Sequence, residues 1–214
     1  MSLDTPHKEG KLSPDNHKDS SSRIRIFLGL SLCPEAGFRI FSLKRAGTEP
    51  IPGNWINPHD LHLTVLFGGE QDAGTLSRWK NAACTLKEGL SPLIANHQER
   101  SSEIHWQKGR NLLAVSFDRT LPFWMEAGQL SRTLSEALLP TERYRPFWPH
   151  LTLARNARLE SRTLEFLSNA LRKVFQHRSP VWNGVKLYES IPLSAQKAQR
   201  YQILSDHLFS GNRS

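Results

Sequence analysis

The sequence predicts an α+β fold made of two copies of one unit: strand, helix, connecting loop, strand. Two short segments, His62-Leu63-Thr64-Val65 and His150-Leu151-Thr152-Leu153, lie 88 residues apart in a chain of 214 residues. The same offset places the apolar run 24–28 over the run 112–116. A fixed period that relates strands and histidines indicates an internal duplication. Two related halves predict a pseudo-symmetric cleft between them.

Composition predicts a globular, intracellular protein. Residues 1–22 are rich in Ser, Asp, Lys and Pro, so we expect a disordered tail ahead of one bilobal domain at 23–214. This tail has no apolar signal region, and no stretch is long enough to span a membrane. Cys33 and Cys84 are too few for a disulfide framework, which favours a reducing compartment. We therefore expect a cytoplasmic location.

The first half begins with an apolar, partly β-branched strand at 24–32. A helix is predicted at 35–45, a loop at 47–58, and the first histidine strand at 61–67, ending at Gly68-Gly69. Helical spacing of Leu76, Trp79, Ala83 and Leu86 then predicts a helix closed by Gly89.

Short strands are predicted at 93–97 and 104–107, and a further strand at 112–117. Apolar residues at helical spacing predict a helix over 123–139 that stops at Pro140, before the second histidine strand. Ser161 is suited to cap another helix, and strands are predicted at 181–189 and 201–204.

The two His-x-Thr segments are the candidate chemical groups. Because side chains alternate along a strand, His62 and Thr64 share one face, as do His150 and Thr152. An imidazole that exchanges protons near neutral pH, beside a hydroxyl that donates to an anionic oxygen, suits phosphoryl chemistry. Two copies supply an acid and a base. The alternative is that both histidines are hydrogen-bonded residues of a core.

Zinc is the competing chemistry for paired histidines. Each motif offers one ligand per strand, and no nearby carboxylate or cysteine completes a set, so we predict neither a metal nor another cofactor. The formal net charge is +8, and from Thr141 onward twelve Lys or Arg face five acids. This basic excess favours a polyanionic partner, although a solvated basic surface is the alternative.

Four blocks in order carry a family resemblance: RIRIFLGLSLCPE, NWINPHDLHLTVLFGGE, YRPFWPHLTLAR, and LYESIPL followed by RYQIL. With these blocks the chain resembles the two-histidine (2H) phosphoesterases, and within them the bacterial RNA 2′,3′-cyclic phosphodiesterases, also called 2′-5′ RNA ligases. The resemblance covers Arg23 to about Leu204. Gly68 departs from it, since such proteins usually carry a large apolar residue there, and the N-terminal tail has no counterpart.

The resemblance implies a bilobal fold with two antiparallel-rich sheets facing each other across a cleft and helices on the outer sides. It implies an enzyme that opens a 2′,3′-cyclic phosphate, at an RNA 3′ end or on a cyclic nucleotide, to a 2′-phosphomonoester. By the family pattern His62 is the proton donor to O3′ and His150 the acceptor from water. Thr64 and Thr152 would hold the nonbridging oxygens. We expect a monomer that works without a cofactor.

Arg155 matches an arginine that similar proteins use near the phosphate, and a guanidinium suits that anion. Strand alternation argues against this role for Arg155, because position 155 should face away from positions 150 and 152 unless the strand ends or bulges. Four aromatic residues near strand ends are candidates to stack a base, with core packing as the alternative: Trp55, Phe67, Trp148 and Tyr188.

Two other functions stay open from sequence alone. The same acid and base could serve a 2′-5′ oligonucleotide phosphodiesterase or ligase, since they can run the transfer in reverse. A noncatalytic RNA-binding protein would use the basic second half, but it would not need intact histidines and threonines in both motifs.

Overall fold

A computed structural model describes residues 23–45, 51–94, 97, 102–157, 159, 161–177, 182–191 and 200–209. The predicted tail at 1–22 lies outside these ranges. The described strands and helices, in chain order, are β1 (Arg23–Leu32), α1 (Pro34–Ser42), β2 (Asn54–Trp55), β3 (His62–Asp72), α2 (Leu76–Ile94), β4 (Ser102–Gln107), β5 (Leu112–Phe117), α3 (Pro122–Leu138), β6 (His150–Arg155), α4 (Ser161–His177), β7 (Trp182–Ser190) and β8 (Tyr201–Leu208).

The strands form one eight-stranded sheet, which confirms the α+β class. Its order is β4-β5-β6-β3-β1-β7-β8, with β2 paired to β6. Every described pairing is antiparallel. β3 and β6 meet at a single pair, Leu63 with Leu151. The two sheets implied by the resemblance are therefore joined edge to edge, one on either side of this pair.

Each half of the chain completes the sheet of the other half. Helix α2 leads from β3 to β4, which pairs with β5 of the second half. Helix α4 leads from β6 to β7, which pairs with β1 of the first half. One cluster of buried apolar residues includes side chains from both halves. No helix within the described ranges is long and apolar enough to cross a membrane.

The duplication has two registers rather than the one that the sequence predicts. Pro34 and Pro122 begin α1 and α3, so the 88-residue offset holds for these helices and for the histidine strands. The opening strands differ: Ser31 pairs opposite His62, and Ser116 opposite His150, an offset three residues smaller. The predicted register of the opening strands is wrong because one residue separates β1 from α1, whereas four separate β5 from α3.

Gly68 and Gly69 do not end the first histidine strand as predicted. β3 continues to Asp72, and Gly68 is passed over where Ile26 pairs with Gly69 and Phe27 with Phe67. This is a β-bulge, and Gly69 has a positive φ of 66° there. A Cβ at position 68 would lie 2.7 Å from Cη2 of the buried Trp79. The indole fills the space that a large side chain would need.

Helix α2 is longer than predicted, since it passes Gly89 and ends at Ile94. The strand predicted at 93–97 is therefore wrong at 93–94, and residues 95–96 lie outside the described ranges. Gly89 serves packing rather than capping, because a Cβ there would lie 2.7 Å from Cδ1 of Leu130 on α3. A glycine at this crossing allows the two helices to approach closely.

We predict that Gly68→Ala destabilises the fold. Its new methyl group would overlap the Trp79 ring, and overpacking of this kind lowers the free energy of unfolding by about 1–3 kcal/mol. Gly74→Ala is the matched control, because a Cβ at that position has no atom within 4 Å and should change stability by less than about 0.5 kcal/mol. Equal unfolding midpoints for the two variants in urea would contradict the packing argument.

Candidate active site

The five residues singled out by sequence line one cleft of about 330 Å³ at the junction of β3 and β6. They are His62, Thr64, His150, Thr152 and Arg155. The alternation predicted for both strands is present: Leu63, Val65, Leu151 and Leu153 are buried, and the histidines and threonines are partly exposed on the other face. The two motifs therefore face one shared space.

A β-bulge brings Arg155 into this cleft. Ala114 pairs with Thr152 and Leu113 with Ala154, so Leu153 has no partner on β5 and the alternation shifts by one residue. The same bulge occurs on β3, where Gly29 pairs with Thr64 and Leu28 with Leu66. Arg155 and its counterpart 88 residues earlier, Phe67, both line the cleft as a result.

Both imidazoles are oriented by a backbone carbonyl two residues earlier. His62 Nδ1 lies 2.7 Å from the carbonyl oxygen of Asp60, and His150 Nδ1 lies 2.8 Å from that of Trp148. A carbonyl oxygen only accepts, so each Nδ1 carries the proton and donates. This fixes the tautomer of each ring and leaves Nε2 to exchange protons in the cleft.

The His62 ring lies in an aromatic enclosure. Its centroid is 4.7 Å from that of Phe27, 5.2 Å from that of Tyr188 and 4.8 Å from that of Tyr201, which meets it edge-on. Burial lowers the pKa of His62 to about 4, with smaller contributions from the positive charges of Arg155 and His150. Burial also raises the pKa of the Tyr188 hydroxyl, which keeps this neighbour neutral.

His150 has a different surrounding. Its ring stacks on Trp148 with the centroids 3.9 Å apart and the planes 15° from parallel. Burial again lowers the pKa of the imidazole, and the Arg155 guanidinium adds to the effect. Both histidines are therefore neutral in the free protein at pH 7.

Sequence reasoning missed further residues of the cleft, among them the polar side chains Arg25, Asp60, Arg200 and Tyr201. The Asp60 carboxylate is buried and accepts the backbone N–H of Arg200 at Oδ2, at 3.1 Å, which ties the start of β8 to the turn before His62. For Asp60, the 88-residue period was the sequence signal that could have drawn attention to this position, because Asp60 stands where the second half has Trp148.

The candidate stacking residues separate into core and cleft positions. Tyr188 is only 3% exposed and packs on Phe27. The indole of Trp55 donates to the Ile51 carbonyl at 3.0 Å, and Trp148 covers His150. Phe67 is 39% exposed, lines the cleft, and has the Arg25 guanidinium 5.1 Å from its ring centroid. Of the four, Phe67 is the one whose ring lines the cleft.

The protonation state and tautomer of the two imidazoles can be measured directly. We predict that nuclear magnetic resonance titration of the free protein finds the pKa of both rings below 6.5, that of His62 near 4, and the neutral rings protonated at Nδ1. His62→Asn and His150→Asn would assign the signals. A ring that is half protonated above pH 6.5, or protonated at Nε2 when neutral, would contradict the geometry.

Within the described residues no group of three His, Cys, Asp or Glu side chains could hold a metal ion. No protein-family model matches the sequence, and no curated protein sequence matches it. Solved structures do match. Escherichia coli LigT with 3′-AMP has a TM-score of 0.57 and 20% identity, over 88% of this chain and 99% of LigT. Protein TT0787 of Thermus thermophilus has a TM-score of 0.56 and 18% identity, over 88% of this chain and 100% of that protein. The chain therefore has the fold of LigT, as the resemblance to the two-histidine phosphoesterases predicts.

Proposed function

We propose that the protein is a two-histidine phosphoesterase that opens a 2′,3′-cyclic phosphate at an RNA 3′ end to a 2′-phosphomonoester, without a metal. One observation carries this proposal: two imidazoles with anchored Nδ1 atoms and two threonine hydroxyls share one cleft across the Leu63–Leu151 pair. LigT, which has this fold, has been crystallised with 3′-AMP and with phosphate, which supports a nucleotide phosphate as ligand.

The proposed reaction assigns one proton transfer to each ring. His150 Nε2 removes a proton from water, whose oxygen bonds to phosphorus as the bond from phosphorus to O3′ breaks. Protonated His62 gives its Nε2 proton to the departing O3′. The hydroxyls of Thr64 and Thr152 donate to the nonbridging oxygens, where negative charge increases in the transition state. The phosphate stays attached to O2′.

Burial, the Arg155 charge and the substrate together set the protonation of the pair. In the free protein, the positive charge of Arg155 contributes to the low pKa of both imidazoles. A bound phosphate anion offsets that charge and favours protonation of one ring. The donor role of His62 follows the family pattern, and because its pKa in the free protein is about 4, bound phosphate has to raise that pKa before the ring can carry the proton. A noncatalytic RNA-binding role does not account for two imidazoles held with Nε2 free.

We expect His62→Ala and His150→Ala each to lower the rate of cyclic phosphate opening by at least about 10²-fold, because each removes one proton transfer. The assay follows adenosine 2′,3′-cyclic phosphate in the presence of EDTA and identifies the 2′ or 3′ product isomer. His59→Ala is the matched control, since this exposed ring three residues before His62 lies edge-on to Phe38. Near-normal turnover in either test variant, or loss of wild-type activity in EDTA, would contradict the proposed chemistry.

Arg155→Lys tests the electrostatic role of the guanidinium. A lysine keeps the charge but loses the planar pair of donors, so we expect kcat on adenosine 2′,3′-cyclic phosphate to fall about tenfold. Arg132→Lys, on the exposed surface of α3 beside Glu136, is the control. If Arg155→Lys leaves kcat unchanged on this minimal substrate, Arg155 does not contact the reacting phosphate.

A further inference from the structure

A second cavity of about 310 Å³ opens directly from the catalytic cleft. Thr64, Phe67 and His150 line both cavities. We propose that this second cavity, the 5′ groove, binds the nucleotides on the 5′ side of an RNA strand whose 3′ end occupies the cleft. The inference rests on the proposed function and adds to it that the preferred substrate is an oligonucleotide rather than a mononucleotide.

The 5′ groove exists because the pseudo-symmetry is broken at one position. In the first half, β2 pairs Asn54 with Arg155 and Trp55 with Ala154, and Ile56 N–H donates to the Leu153 carbonyl at 2.8 Å. These backbone bonds occupy the hydrogen-bonding groups on this edge of β6. Eighty-eight residues later, residues 142–144 form no ladder with β3, and no strand pairs with the corresponding edge of β3 in the described structure.

The walls of the groove are held in place. On one side, the buried Ser131 hydroxyl on α3 donates to the Val65 carbonyl at 2.7 Å, so this hydrogen bond holds α3 against the strand. On the other side, the Tyr144 hydroxyl accepts the Phe147 N–H at 3.3 Å, and the Pro149 carbonyl accepts the Phe117 N–H at 3.0 Å. The groove is therefore a formed surface and does not need a partner to create it.

The charge of the groove selects an anionic occupant. Arg110, Arg143 and Arg145 line it with exposed side chains, and Glu142 is the one acid among the described lining residues. Guanidinium groups bind phosphates, and the lining also includes Trp148, which offers apolar surface to bases. An added peptide strand could pair with the edge of β3, but three arginines beside a phosphate site favour RNA.

Phe67 gives the two cavities a common wall. It lies at the boundary of both, so a terminal nucleotide that contacts this ring is adjacent to the groove entrance. Its 5′ phosphodiester can continue into the groove without leaving the protein surface. The sequence-independent contacts of such a strand would be to phosphates, with the terminal base as the stacked group.

The test compares two substrates that end in the same group: adenosine 2′,3′-cyclic phosphate and a triadenylate with a terminal 2′,3′-cyclic phosphate. We expect wild-type kcat/KM to be higher on the triadenylate. In the double variant Arg143→Ala/Arg145→Ala, it should fall about tenfold on the triadenylate and less than about twofold on the mononucleotide. The salt dependence on the triadenylate should also lessen, by about 1.4 in the slope of log kcat/KM against log salt for two lost contacts. Arg162→Ala, an exposed arginine on α4, is the control.

The outcomes separate this inference from the proposed function. If the wild-type protein opens neither substrate, the proposed function fails. If it opens both with equal kcat/KM, or if the double variant loses activity equally on both, the 5′ groove is not an RNA subsite. A groove that serves a protein partner would give the first of these two results. Unchanged thermal unfolding of the double variant would show that the lost activity is not a folding defect.

Discussion

The rest of the site depends on one contact, the single pair that joins β3 to β6. Leu63 and Leu151 are fully buried and stand 88 residues apart, so the pseudo-twofold axis passes between equivalent residues. Burying these leucines forces their neighbours to the opposite face, since side chains alternate along a strand. A slip of one residue would send both histidines into the core. Core packing thus fixes the geometry of the polar groups.

The duplication repeats the orientation of each histidine but not its surroundings. Each imidazole donates from Nδ1 to a carbonyl two residues earlier, at Asp60 and at Trp148. The side chains of the two residues that supply these carbonyls differ, because one is a buried carboxylate that holds the start of β8 and the other is an indole stacked on the ring. Two histidines with one tautomer therefore meet different environments, as the proposed acid and base roles require.

Sequence periodicity was sufficient to predict the paired motifs, because alternation and a long repeat are local and survive in the sequence alone. It could not predict local breaks in the ladders. Gly68 looked like a strand end but is a bulge under Trp79, and Gly89 looked like a helix cap but is a contact with α3. Arg155 depended on a bulge at Leu153. In each case a contact with a residue distant in sequence determined which of two structural roles the residue has.

The two halves differ at positions where a directional, single-stranded substrate would need different contacts on its two sides. Positions 67 and 155 are equivalent and both reach the cleft, yet one is an aromatic ring and the other a guanidinium. Strand β2 pairs with the edge of β6, whereas no strand pairs with the equivalent edge of β3 in the described structure. The proposed substrate, an RNA end, is also asymmetric, with a phosphate on one side and a base and a 5′ chain on the other. The symmetric groups thus suit the proton transfers, and the asymmetric ones suit the orientation of the strand.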